Sequence, residues 1–420
     1  MQVSETAEAL EDALSISINQ MVYNLKRAGE DVITLSLGEA FFSIPLFDFN
    51  QLDIEKIYHY SDTKGIPGLR EKVARFYREQ YGAPVDAADI IITAGSKAAI
   101  FMATMAALNP GDDALIHEPA WLSYPAHVKL ARGTPHFIPY DKTPEEFEQY
   151  FTPNTKLLII CNPNNPGGHV YSREALEKIY RLCQKRGAWL MVDEAYSDFV
   201  LDSFVSAASI APDKENLIIA NSLSKNMGMS GWRVGYTISS PKMNVILQKL
   251  NQHIITCAPT ILTHYMERYF DDVIAHTLPQ VREVVEKRKR IADYMDSIGL
   301  EYLGGGATFY FFINLGDFPG SSMDFALEML LQHNVSVVPG LAYGDSVERF
   351  VRVGIGAEPE ERIQDALVAI KALIENKRFS RVALQQRFHQ SEISKGAPHD
   401  LIQRGTDAWK KTRPGNSKLG

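Results

Sequence analysis

Between Asp89 and Tyr236 the chain repeats one pattern, a short continuous apolar run, a turn of small residues, and a stretch with helical spacing. The runs are Ile90–Thr93, Ala114–Ile116, Leu157–Cys161, Trp189–Val192 and Leu217–Ala220. A strand with one face in water alternates apolar and polar residues, whereas a strand apolar throughout must be covered on both faces. With helices between the runs, the pattern predicts a mostly parallel sheet between two helical layers, an α/β fold. The clearest helix runs from Ser172 to Arg186, with Leu176, Ile179, Tyr180 and Cys183 on one face and Gly187 as its stop.

An open sheet of this kind binds ligands beyond the carboxyl ends of its strands. Gly95, Trp121, Asn165, Asp193 and Ser222 all fall at such ends or a few residues after them, so one edge is expected to carry the site. At 420 residues, 45% of them apolar, the chain is long enough for a large domain and a smaller one. A net charge of -8 without a dense Lys/Arg cluster argues against a nucleic-acid partner. Cys161, Cys183 and Cys257 are too few and too scattered for a disulfide framework or a cysteine-based metal site, which fits a reducing cytoplasm and no metal. The most apolar long run, Ala98–Leu108, is too short to span a bilayer, and no basic region followed by an apolar core opens the chain, so no membrane segment or signal peptide is expected.

Outside that block the signals are coarser. Residues 1–32 read as an N-terminal arm and helix, with Ile16, Ile18, Met21, Val22 and Leu25 at roughly helical spacing and Gly29 near the stop. A short strand from Val32 ends near Gly38, and a turn at Gly65, Pro67 and Gly68 precedes a helix over Leu69–Tyr77. Val281–Ile298 reads as a connecting helix. Beyond it come strands Ala307–Asn314, Val335–Val338 and Phe350–Gly354, with helices Met323–His333 and Glu358–Ile374. The expected division is a large domain over 51–285 and a smaller α+β domain built from 33–50 and 286–385. Residues 386–420 form a polar C-terminal extension, read as flexible.

The most specific chemistry lies in Ser222–Tyr236, SLSKNMGMSGWRVGY. A lysine attacks a carbonyl only when neutral, which takes desolvation or a neighbouring cation to lower its pKa from about 10.4. Arg233 is such a neighbour, and its planar fork also suits an anion. Taken alone, Lys225 reads first as a solvated loop lysine and Arg233 as an ion-pair residue. The whole stretch, however, resembles the Schiff-base lysine segment of the pyridoxal-phosphate (PLP) aminotransferases of classes I and II, with Ser, two residues, Lys, and then Gly-Trp-Arg-x-Gly-Tyr. Other motifs follow in the same family order over roughly residues 30–380.

The resemblance implies fold type I of the PLP-dependent transferases and a role for each motif residue. Lys225 is expected to carry the internal aldimine and to move the substrate Cα proton. Gly95, Ser96 and Lys97, in the turn before a buried helix, are expected to hold the cofactor phosphate with Ser222 and Arg233, since free N–H groups at a helix N-terminus bind anions. Trp121, otherwise a core aromatic, would stack on the pyridine ring. Asn165 lies in Asn-Pro-Gly-Gly, where Gly167 replaces the family threonine; it and Tyr196 would reach the phenolic oxygen. Asp193, otherwise a helix cap, would keep the pyridine nitrogen protonated so that the ring acts as an electron sink. Arg352, inside an apolar strand, would bind the substrate α-carboxylate beside Gly38, with Asn165 also touching substrate. Tyr60 would reach the phosphate of a neighbouring subunit, which implies a homodimer. Phe41 and Phe42 hint at an apolar pocket. The expected activity is transfer of an amino group between an amino acid and a 2-oxo acid in a ping-pong cycle. The alternatives are another PLP reaction on the same scaffold (lyase, decarboxylase, cyclase or oxidase) and a non-catalytic PLP-binding regulatory protein.

Overall fold

The computed structural model describes residues 3–376, 378–394 and 401–412. In these residues the strands follow in chain order: β1 (Ile33–Thr34), β2 (Ile90–Thr93), β3 (Asp113–His117), β4 (Thr134–Ile138), β5 (Thr155–Cys161), β6 (Trp189–Asp193), β7 (Leu217–Ser222), β8 (Gly235–Ser239), β9 (Tyr310–Asn314), β10 (Val335–Ser336), β11 (Val338–Pro339) and β12 (Phe350–Gly354). Seven of them make one sheet in the order β2-β8-β7-β6-β5-β3-β4. Neighbours pair in parallel except at β8, which runs antiparallel to both β2 and β7. Side chains alternate between the two faces of a strand. Here Ile90 and Ile92 join Leu158 and Ile160 in one buried cluster, while Ile91 joins Leu157 and Ile159 in another. Both faces are therefore dry, which is why the runs are apolar throughout.

Two strands of this sheet carry no such run. β4 reads Thr-Pro-His-Phe-Ile and lies at the sheet edge, where Thr134 and Phe137 are exposed and a proline costs no ladder bond. β8 follows the lysine stretch directly and makes the sheet mixed rather than wholly parallel.

A second, smaller sheet is antiparallel, in the order β11-β12-β9. The early strand pairs only over Ile33–Thr34, in parallel with β10. The run expected as one strand over Val335–Val338 is split, because β10 faces β1 while β11 faces β12. The connecting helix is longer than expected and covers Thr260–Ser297 with Pro279 inside it. An interior proline removes one backbone hydrogen bond and reads as a stop, so its first half was hidden. Its first half buries Tyr265, Met266, Phe270 and Val273 against the large sheet, and its second half buries Val281, Val285, Ile291 and Met295 against the small one.

Over 386–394 and 401–412 the flexible reading of the tail is corrected. Helices Arg381–Gln390 and Leu401–Thr412 follow the smaller layer. Leu384, Phe388, Ile393 and Leu401 pack with Leu14, Ile18, Met21 and Val22 of the N-terminal helix Leu14–Arg27. Ion pairs Arg381–Asp324 and Arg387–Glu328 fasten the tail to helix Ser322–His333, and Arg404–Glu11 ties it to the arm ahead of the N-terminal helix. Of the turn-forming residues in this extension, Gly405 sits inside helix Leu401–Thr412, and Gly396, Pro398, Pro414 and Gly415 lie outside the described residues.

Candidate active site

The carboxyl ends of β2, β3, β5, β6 and β7 meet at one edge of the large sheet, and a cavity of about 650 Å³ opens there. Ser96, Lys97, Trp121, Asn165, Asp193, Tyr196, Lys225, Arg233 and Gly38 line it. The antiparallel β8 accounts for Arg233. It begins where its neighbours end, so the residue two places ahead of Gly235 arrives at the same edge.

The helix Gly95–Ala107 starts in this cavity. Gly95 has φ +79°, and a Cβ there would come within 2.5 Å of the Arg233 Nη2. A Cβ on Gly235 would lie 2.5 Å from the Ser96 nitrogen. The guanidinium thus rests against the first turn of the helix, where free N–H groups and the dipole already favour negative charge. Such a pairing of like potentials is stable around an anion. Lys97 stands beside it, with Nζ 5.2 Å from the Trp121 ring centroid. Burial lowers the Lys97 pKa first and Arg233 lowers it further. Two expected members of the cup stand differently. Ser222 is fully buried and its hydroxyl accepts from the Ser224 N–H at 3.3 Å, so Ser224 lines the cavity instead. Tyr60 is 85% exposed and does not line it.

The Lys225 amine donates to the Gly38 carbonyl and lies 5.7 Å from the Tyr196 ring centroid. Burial brings its pKa from 10.5 to about 8, Glu39 and Asp193 pull it upward, and Arg352 and Arg233 push it down. Desolvation therefore does more than the arginine eight residues on. Asp193 is buried at the end of β6, where Oδ2 accepts from the Tyr124 hydroxyl at 2.7 Å and Oδ1 from the Ala195 N–H at 3.1 Å. Burial raises its pKa. The Asn165 amide donates to the Tyr196 hydroxyl at 3.1 Å, and that hydroxyl is 3.0 Å from the Tyr310 hydroxyl.

Arg352 sits behind this group on β12, 4% exposed. Its Nη2 donates to the Ser36 carbonyl at 2.8 Å, and its Cζ is 4.4 Å from the Tyr310 ring centroid. Its Nε is buried without a partner, and among the described residues no carboxylate pairs with it. A buried, unpaired guanidinium is costly unless an anion is brought to it. A Cβ on Gly38 would lie 3.3 Å from the Tyr310 hydroxyl and 3.9 Å from Arg352 Nη2, so glycine keeps the approach open.

Sequence reading missed Tyr124, Tyr310, Glu39, Ser224 and Ser230, and the wall formed by Ile16, Asn19, Gln20 and Tyr23 of the N-terminal helix. That helix is amphipathic in sequence, so its polar side was readable as a surface but not as this surface. Phe41 and Phe42, which hint at an apolar pocket, do not line this cavity; Phe41 lines a smaller one of about 230 Å³ with Val22, Tyr23 and Leu37. Phe41 is 64% exposed, and Phe42 packs on Phe199 with centroids 6.4 Å apart.

The sequence profile of a family described as aminotransferase class I and II matches residues 26–370. An aspartate aminotransferase of Thermotoga maritima is 31% identical over 366 residues, covering 84% of this chain and 94% of its own. A (5-formylfuran-3-yl)methyl phosphate transaminase of Methanocaldococcus jannaschii is 29% identical, covering 86% of this chain and 96% of its own. Among solved structures, an aspartate aminotransferase from Thermus thermophilus with maleate superposes with a TM-score of 0.79 at 26% identity, over 89% of this chain and 100% of that one. The wall residues Ile16, Asn19, Gln20 and Tyr23 and the tail helices fall outside the matched stretch.

Proposed function

This chain belongs to the class I and II aminotransferases and is a pyridoxal-phosphate enzyme acting on amino acids and 2-oxo acids, and we propose that the residues gathered at the sheet edge divide that work as follows. The site fits the cofactor group by group. Ser96, the first-turn N–H groups, Ser224 and Arg233 hold its phosphate, with Lys97 beside them and Ser222 ordering the loop behind. Trp121 covers one face of the ring. Asp193, a buried carboxylate without a cation, takes the pyridine nitrogen, and Asn165 and Tyr196 take the phenolic oxygen. When bound, the cofactor supplies an electron sink for the carbanion left after the Cα proton departs.

The chain's own part is binding and proton movement. Arg352 binds the substrate α-carboxylate in the opening left by Gly38, with Asn165 alongside. Lys225, whose amine loses its proton near pH 8, would take the substrate Cα proton at its Nζ as a general base and hold it there for return as a general acid. Two half-reactions of this kind, with different oxo acids, make a ping-pong cycle. The observation that carries the reading is the buried Arg352 guanidinium with an unpartnered Nε, a few ångströms from Gly38, whose carbonyl holds Lys225. The test is a screen of amino acids against the PLP-loaded protein. A donor discharges the visible absorbance and releases its oxo acid, and a second oxo acid restores the colour. Ammonia or carbon dioxide released without an acceptor would instead identify a lyase or decarboxylase.

A homodimer in which Tyr60 reaches the other subunit's phosphate, and a cytoplasmic setting, belong to the same reading. Exposed Tyr58, Tyr60, Leu46 and Ile54 support the first, and three free cysteines support the second. Among the described residues no helix is long and apolar enough to cross a membrane.

A further inference from the structure

Lys225 lies three residues past the end of β7, in a loop whose backbone is held by the Leu223 N–H on Val234, the Gly228 N–H on the Lys225 carbonyl and the Met229 N–H on Leu223. Two asparagine side chains, one on each side of the lysine, add bonds on the side away from the cofactor cavity. Before the lysine, the Asn221 amide donates to the Ser197 hydroxyl at 3.3 Å and to Tyr77 at 3.0 Å. After it, the Asn226 amide donates to Asp198 Oδ2 at 2.7 Å. Asp198 Oδ1 is in turn 2.8 Å from the Tyr81 hydroxyl. Asn221 and Asn226 are 1% and 3% exposed, so neither bond competes with bulk water.

Ser197 and Asp198 continue the segment that carries Asp193 and Tyr196. The bonds to Ser197 and Asp198 therefore bracket Lys225 and tie its loop to the residues that face the pyridine nitrogen and phenolic oxygen. The tie is reached from a separate cavity of about 470 Å³, lined by Tyr81, Ser197, Asp198 and Arg282 among others, and not from the substrate side. We propose that Asp198 is a positioning residue which, through Asn226, holds the backbone of Lys225 in register with Asp193 and Tyr196. It touches neither substrate nor cofactor. Its effect is geometric: the carboxylate fixes the residue next to the lysine, and the lysine amine inherits that placement. An error of about 1 Å in such a group costs on the order of 100-fold in rate.

This inference rests on the proposed role of Lys225, and a readout that needs no amino donor separates the two. The rate at which PLP added to the cofactor-free protein develops the visible band of lysine-bound cofactor is measured for the native chain, Asn226→Ala, Asp198→Ala, the double variant and Asp198→Asn. Asn226→Ala and Asp198→Ala should each slow the band about tenfold, and the double variant should be no slower than either. Asp198→Asn should return to within about threefold of native, because its amide oxygen still accepts from Asn226. With the amino acid that discharges the native colour, kcat should fall by a similar factor while KM stays within about twofold. A merely structural role would lower the melting temperature and leave the band rate below it unchanged. If Asp198→Ala does not fold, Asn226→Ala reads the same tie without leaving a cavity at the carboxylate. Band formation within twofold of native in Asn226→Ala, or effects that multiply in the double variant, would overturn the tie. A native chain that forms no band would overturn the Lys225 reading itself.

Discussion

The lysine amine offers the sharpest quantitative test. Its pKa falls from 10.5 to about 8, chiefly through burial. That difference amounts to about 3 kcal/mol of preference for the neutral form, or a roughly 300-fold larger ratio of amine to ammonium at any pH below both values. In the cofactor-free protein, trace acetylation of Lys225 as a function of pH, read by peptide mass spectrometry, should therefore show a midpoint near 8. Neighbouring charges set the direction of further shifts. Glu39 pulls the value up, so Glu39→Gln should move the midpoint lower, and Arg352 pushes it down, so Arg352→Met should move it higher. A midpoint near that of an ordinary lysine, or a rise in Glu39→Gln, would refute the reasoning. The same proton appears in stability. Between pH 8 and 10.5 the unfolded chain still binds a proton that the folded chain has released. The penalty for burying the ammonium is thus whole below pH 8 and gone above 10.5, and stability rises through that window. Lys225→Met should stabilise the cofactor-free protein against urea most at low pH, with the advantage shrinking across the window.

Gly95→Ala meets Arg233 Nη2 at 2.5 Å and must hold φ +79°, so PLP should dissociate at least tenfold faster, with a stability loss of about 1–2 kcal/mol from the left-handed backbone alone, both read by dialysis and thermal melting. Tyr124→Phe removes the 2.7 Å bond to Asp193, worth about 1.5–3 kcal/mol to a charged acceptor. Because that bond lowers the Asp193 pKa, its loss should raise it and carry the acidic limb of the activity profile to higher pH. Phe388→Ala empties a buried position in the contact between the tail and the N-terminal helix and should cost about 3 kcal/mol in urea unfolding, with faster amide exchange in Leu14–Arg27.

How much of this was legible depended on whether a residue declares itself locally. Five strand ends could be read because a dry strand is apolar at every position, and the residues following those ends needed only the edge rule to be placed together. β4 and β8 were not legible, one being polar at the sheet edge and the other masked by the motif before it. Tyr124, Tyr310 and Glu39 are invisible for another reason. Each matters through a partner distant in sequence, such as Tyr310 for Tyr196 and Arg352, and nothing around it in the chain marks the meeting. The tail misled because turn-forming and polar residues surround a few apolar contacts, Leu384, Phe388, Ile393 and Leu401, too widely spaced to give a clean period.

The contact between the tail and the N-terminal helix has a consequence for biogenesis. Every group proposed to grip PLP has been translated by Tyr236, whereas the helix bearing Ile16, Asn19, Gln20 and Tyr23 meets Met323, Leu327 and Leu330 well after that and gains the last of its packing partners only once Leu384 to Leu401 have left the ribosome. A nascent or C-terminally clipped chain would therefore acquire the means to capture vitamin B6 before it acquires a finished mouth for amino acids. Cofactor loading and substrate competence are thereby separated in the order of synthesis.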